Sequence, residues 1–294
     1  MNRYKYIDED KKHLHTLDGQ PLYGTSTVLK VIAKPLTYWA SGLAVEKLGW
    51  IKIQDKLHNI SNEVKARVLE LGLEFKKGSY SGVVAIPKEV RKEYALKGWN
   101  KVVGLSSEEY LDLLDEAYKA HATKLDETAD AGTDMHACLE SYVKNTMLCY
   151  ASGMVDTTEY THEAVKIFAE WAKKNVKRFL ASEMHVYSEK YWLGGIFDTL
   201  VELNDGTVAI LDFKSSKDAY LSQFWQCAGY DIQLSENGGY DKDGNKMFEL
   251  EKPVSLYIVF PFGMAKPEPQ FYYDMAGAKE CYLSALTLYK KMEI

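Results

Sequence analysis

The chain has no C-x-x-C pair. Its four cysteines, Cys138, Cys149, Cys227 and Cys281, are scattered through 294 residues, which argues against a closed zinc or iron–sulfur site and suits reduced thiols. Nowhere do about eighteen apolar residues run together, and the opening stretch MNRYKYIDEDKKHLH is charged. Neither a membrane span nor a signal peptide is expected. The G-x-x-x-x-G-K-[ST] phosphate loop is missing, so no ATP-driven motor lies in the chain. Internal repeats and low-complexity tracts are absent too. Basic excess is also lacking: the net charge is −6 and the pI near 5.7, so an anionic partner must be held by a local basic face rather than a bulk field.

What is present suffices for a full core. Hydrophobic residues make up 46% and aromatics 13% of the chain, enough for one elaborated domain or a compact core with an accessory lobe. Residues 1–31 read as a small β element with a turn at Leu17-Asp18-Gly19-Gln20, followed by a helix capped by Thr25 or Ser26. Residues 35–120 read as mostly helical, with a capping box at Ser106-x-x-Glu109. After a break at Gly132, "TDMHACLESYVKN" predicts a short helix, and Val165, Phe168, Ala169, Ala172, Val176 and Phe179 predict another. From Glu183 the texture changes to three strand-like runs, then a helix over about Tyr220–Leu234, two further strands and a closing helix. The order predicts an α/β sheet packed by helices, with the lobe over 1–130 and the core over 131–294.

Within the core, "WLGGIFDTLVELNDGTVAILDFKSSK" (residues 192–217) carries acids where apolar residues would pack better. In a strand, residues i and i+2 share a face, so Asp212 and Lys214 project with Val208 and Ile210. Antiparallel pairing brings Asp198 near Asp212. Two carboxylates and the Phe213 carbonyl make an all-oxygen site for a hard cation such as Mg²⁺ or Mn²⁺, and a lysine beside them can neutralise a phosphate and orient a water. For a single D-x-K the plainer reading is a strand-end ion pair. Gly194-Gly195, the acid on the adjacent strand and the apolar lead-in together favour the site.

The pattern G-G-x-x-D, followed fourteen positions later by D-x-K, resembles the PD-(D/E)xK nuclease superfamily, and within it the RecB-like, phage-type exonucleases. "AGTDMHACLESYV" is similar to the family's upstream helix with its metal-side histidine, here His136. "QCAGY" resembles the Q-x-x-x-Y motif, placing Gln226 and Tyr230 beside the catalytic group, and "YGTSTVLKVIAKPLTYWA" resembles the N-terminal segment of the phage-type members. The resemblance implies a restriction-endonuclease-like core (a mixed central sheet flanked by helices, α-β-β-β-α-β). Its metal would be Mg²⁺ or Mn²⁺, held by His136, Asp198, Asp212 and the Phe213 carbonyl. It also implies linear, end-dependent DNA as substrate, a homo-oligomer, a single-strand annealing or recombination protein as partner, and the cytoplasm of a bacterium or phage-infected host. The clustered C-terminal cysteines of the iron–sulfur branch are missing, so no cluster is carried over. A structure-specific endonuclease, or a DNA-end-binding recombination protein with a vestigial site, are the alternatives.

Glu140 shares a helix face with His136 as i and i+4 and is a further candidate ligand. Glu183 reads either as a third carboxylate or as a helix-end charge. For DNA, Lys88, Arg91 and Lys92 stand among Tyr94 and Trp99, a mixture that tracks a backbone and stacks bases. Lys173 and Lys174 form a second basic group. "DKDGN" at 241–245 has its glycine too early for a calcium loop and reads as a hairpin turn.

Overall fold

β1 (Tyr4–Glu9) and β2 (Lys12–Leu17) pair antiparallel. β2 turns into β3 (Gln20–Pro21) through Asp18 and Gly19, both at positive φ as a tight two-residue turn of this hand requires. β4 (Tyr23–Gly24) leads into the single-turn α1 (Thr25–Val28). Its N-cap is Gly24, not Thr25 or Ser26: Thr25 is already helical, and its hydroxyl donates to the Gly194 carbonyl at 3.0 Å. The computed structural model describes residues 2–9, 12–33 and 37–292, so Lys34–Leu36 of the N-terminal segment singled out above lie outside the described residues.

Two compact units emerge, Met1–Ala33 with Asp130–Ile294, and Lys34–Ala129. Residues 1–33, expected with the lobe, therefore belong with the core. The second unit holds α2 (Thr37–Glu46), β5 (Gln54–Lys56), α3 (Asn62–Glu70), β6 (Lys76–Lys77), β7 (Val83–Ala85), α4 (Lys88–Val103) and the first part of α5 (Ser107–Ser152). Beside the expected helices it carries a small antiparallel sheet, β5-β7-β6. Strands of two or three residues leave too little alternation to be read from sequence. Ile60, Val64, Val68, Ile86 and Val90 form its core, and Arg67 grips Glu93 through two bonds of 2.7 and 2.8 Å between α3 and α4. The capping box of α5 forms as expected, with the Glu109 carboxylate accepting the Ser106 N–H at 2.7 Å and Ser106 Oγ accepting from Glu109 N–H.

α5 runs unbroken through Gly132, where a break is expected. One glycine costs a helix interior only about 1 kcal/mol, and beyond it Met135, Leu139, Tyr142 and Val143 all bury against the sheet. α6 (Glu163–Asn175), β8 (Val176–Ser188), β9 (Leu193–Leu203) and β10 (Val208–Lys214) follow, then α7 (Leu221–Asn237), β11 (Gly239–Tyr240), β12 (Lys246–Phe248), β13 (Leu256–Pro261), β14 (Gln270–Tyr272) and α8 (Met275–Met292). Val176 and Phe179 continue the helical spacing of α6, yet the chain turns to strand at Val176. There it gains a ladder with β9, and Arg178 reaches Glu202 at 2.7 Å. The β11–β12 connection is a turn, with Asp241 accepting the N–H groups of Asp243 and Asn245.

The central sheet is mixed, in the order β12-β11-β8-β9-β10-β13-β14. β10 and β13 run parallel and the other neighbours on this path antiparallel. β4 adds in parallel to β9, Tyr23 opposite Leu193 and Gly24 opposite Gly194. Helices cover both faces. Val208 and Ile210 of β10 pack with Cys227, Tyr230 and Leu234 of α7 and with α8. Ala209, Leu211 and Phe213 pack the other way with Leu139 of α5 and Phe168 of α6. The period of two along β10 explains why its apolar run is continuous. No helix among the described residues is long and apolar enough to cross a membrane.

Candidate metal centre

β9 and β10 pair from Val208–Glu202 to Leu211–Thr199. One step beyond, the ladder stops and an aspartate bridges it: Asp198 Oδ2 accepts the Phe213 N–H at 2.7 Å. Further along, at Leu193 and Gly194, the edge that β10 leaves is taken by β4, while β8 keeps the opposite edge. The glycine pair permits this, because a Cβ on Gly194 would lie 2.4 Å from His15 Cβ, and one on Gly195 would lie 2.4 Å from Thr25 Oγ1 and 2.8 Å from Tyr230 Cε1. Gly194-Gly195 thus serves the packing of the N-terminal segment and α7 around the start of the hairpin.

Three donors converge at this split. His136 on α5 sets Nδ1 3.6 Å from Asp198 Oδ2, and the donor atoms of His136, Glu183 and Asp198 lie within 4.8 Å of one another. Glu183 is the residue whose role the sequence left open. It stands inside β8 rather than at a helix end, with φ of 48° in the left-handed region that a glutamate rarely adopts. Strain of this kind costs of order 1–3 kcal/mol and persists where the surroundings over-determine it. Local alternation carries no trace of it.

Asp212 and Lys214 adjoin the triad as a pair, Nζ to Oδ2 at 2.7 Å. Asp212 is 1% exposed, and its Oδ1 has no hydrogen-bond partner among the described residues. Oδ2 has the lysine beside it as a counter-charge, without hydrogen-bond angles.

The electrostatics follow from burying so many acids together. Burial, then the charges of Asp198 and Glu140, pushes Glu183 up from 4.5 to about 8. Burial raises Asp198 and Asp212 above the ordinary carboxylate range, and Lys214 pulls both back. For Lys214, burial opposes the charge, but Asp212 and Asp198 outweigh it, so the ammonium is held charged. Burial and then Lys214 lower His136, which stays a neutral imidazole near pH 7.

The remaining expected residues fall around this centre. Glu140 pairs with Lys144 one turn on and acts on Glu183 and Asp198 as a like charge, outside the three converging donors. Gln226 Nε2 donates to the Tyr230 hydroxyl at 2.7 Å, and burial, with Asp212 and Asp198, keeps that phenol neutral. The Phe213 backbone contacts both Asp198 and His136. In the other unit, Lys88, Arg91, Lys92 and Trp99 share one face of α4, and Trp99 is 65% exposed. Lys173 and Lys174 are exposed in the last turn of α6.

These residues suit a hard or borderline cation. The donors are carboxylate oxygens and an imidazole nitrogen, while the nearby Cys227 is buried and its thiol pushed well up, hence protonated. A buried carboxylate with an open oxygen, among acids that raise one another's pKa, is the arrangement that a bound cation relieves.

No protein-family model matches the chain, and a search of curated proteins returns no match.

Proposed function

We propose that the chain is a metal-dependent deoxyribonuclease with a restriction-endonuclease-like core, degrading linear DNA from its ends. The observation that supports this reading best is the convergence of His136, Glu183 and Asp198 next to a buried Asp212–Lys214 pair at the split of the β9–β10 hairpin. It is the D…D-x-K pattern of the sequence with a histidine and a third acid brought to it.

Asp198, Asp212, Glu183 and His136 would hold Mg²⁺ or Mn²⁺. When bound, such an ion supplies charge to the phosphate and lowers the pKa of a water. The protein's own part is positional. Asp198 is fixed by the Phe213 N–H, so its second oxygen keeps one direction. Lys214 is held charged by Asp212 and Asp198, so it can orient an attacking water and stabilise the phosphate as charge develops. A neutral His136 can donate a lone pair or, after substrate binding, take up a proton. Substrate contacts are assigned to the Lys88–Arg91–Lys92–Trp99 face of α4, which offers cations for the backbone and a ring for a base.

End-labelled single- and double-stranded linear DNA, digested beside closed circles in Mg²⁺, tests the reading. Linear DNA should be consumed and circles spared. Asp212→Asn should abolish detectable digestion, because it removes a charged ligand while nearly conserving shape. Lys214→Arg should also fail, because a guanidinium is broader and cannot act as a compact point charge. If both variants digest DNA at the wild-type rate, Asp212 and Lys214 form only a strand-end ion pair and the proposal is wrong.

A further inference from the structure

At the opposite end of β9 the structure contains a second concavity with different chemistry. Glu202 lies four residues from Asp198 along the strand, about 13 Å away. It forms the floor of a cavity of about 420 Å³ between the ends of α5 and α6, the start of β8 and the segment around Phe248–Lys252. Such a volume is within the range of small-molecule sites, roughly 300–1,000 Å³.

The charge around it is unbalanced. Glu202 is buried and takes Lys177 at 3.2 Å, Arg178 at 2.7 Å and Lys252 at 3.2 Å. Lys173 lines the same cavity and makes no ion pair among the described residues. With Glu251 as the second acid, four cations face two carboxylates, leaving a net charge of +2. Bound to three cations, Glu202 is held down at about 2, so it is ionised at every working pH and cannot take up more positive charge by titrating. The surplus is opposite in sign and similar in size to the charge of a phosphate monoester at pH 7, about −1.5 to −2. The lining also holds aromatic side chains: Tyr142 is buried, Phe179 and Phe248 are half-buried, and Tyr150 is 71% exposed.

We infer that this cavity is a binding site for an organic monophosphate with a flat aromatic body, the chemistry of a nucleoside monophosphate. The phosphate sits among Lys173, Lys177, Arg178 and Lys252, and the body lies against the rings. A plain anion site would have no need of these rings, and a lipid-chain site would not gather four cations on one rim. The inference does not depend on the nuclease reading, since no residue of the metal centre lines the cavity.

Calorimetric titration of the metal-stripped full chain in EDTA tests it. The probe is deoxyadenosine 5′-monophosphate, compared with deoxyadenosine, inorganic phosphate and hexyl phosphate. The nucleotide should bind at least about tenfold more tightly than each of the other three, as expected when a charge-assisted contact or a stacked ring is lost. Lys173→Glu, and Ala151→Trp at the exposed lining position Ala151, should each weaken it by about tenfold or more with the melting temperature unchanged. Absence of measurable nucleotide binding overturns the inference. So does binding that neither variant weakens, which places the nucleotide elsewhere. Hexyl phosphate binding as tightly as the nucleotide overturns the aromatic body.

Discussion

Glu183 couples backbone geometry to protonation. Its pKa in the folded, metal-free protein is raised to about 8 from 4.5. Between these values the unfolded chain has released the proton while the folded chain retains it. The contribution of this group to stability therefore falls as pH rises through this window, and is level below 4.5 and above about 8. Asp198 and Asp212 are raised too and act with the same sign, while the lowered His15, His136 and His185 act with the opposite sign below 6.5. In EDTA the melting temperature should therefore decline from about pH 6.5 to pH 8, and Glu183→Gln should remove most of that decline. Saturating Mg²⁺ should flatten it too, because a cation competes with the proton for the same carboxylate. An equal slope in the variant would show that other groups carry the pH dependence.

At the scale of elements, the hairpin depends on how closely β4, α1 and α7 approach it. Gly195→Ala places a methyl group 2.4 Å from Thr25 Oγ1 and 2.8 Å from Tyr230 Cε1, and overpacking of this kind costs typically 1–3 kcal/mol. Chemical denaturation should show the loss, and Gly195→Ala with Thr25→Ala should recover part of it. Full additivity of the two changes would mean that the crowding is relieved elsewhere.

The same elements show what could be read in advance. β9, β10, α7, β13 and α8 were legible because their periodicity is local and Asp198, Asp212 and Lys214 interrupt it visibly. The partnership of β4 with β9 was not, since pairing between Tyr23 and Leu193 leaves no mark in either stretch. For Glu183 the sequence left a third carboxylate and a helix-end charge both open, and its positive φ within β8 leaves no mark there. Val176–Phe179 misled because three or four residues satisfy helical spacing and strand pairing alike, and the Arg178–Glu202 contact that favours the strand spans 24 positions. Of the α4 face, composition showed the charges and the structure adds their alignment with Trp99.

For the whole molecule, the proposed DNA contacts make a prediction about salt. Charge reversal at Lys88, Arg91 and Lys92 should weaken binding and reduce the steepness of log K against log salt. The reduction should be up to about 0.9 per lost phosphate contact on duplex DNA, or about 0.7 on single strands. The melting temperature should hardly move for Lys88 and Lys92, which are exposed. An unchanged slope would move the DNA path off α4, most directly to the Lys173–Lys174 turn.

The pairing of β4 with β9 also bears on how the chain is made. A ribosome releases Tyr23 and Gly24 well before Leu193 and Gly194 leave the exit tunnel. Throughout that interval β4 has no strand to join, although β1, β2 and β3 can pair among themselves and the Lys34–Ala129 unit can settle around its own core. Tyr23 and Gly24 are thus made long before the strand they pair with, and synthesis order and docking order differ for this segment. Without β4, Leu193 and Gly194 would present a bare strand edge, the kind of surface on which chains pair with one another.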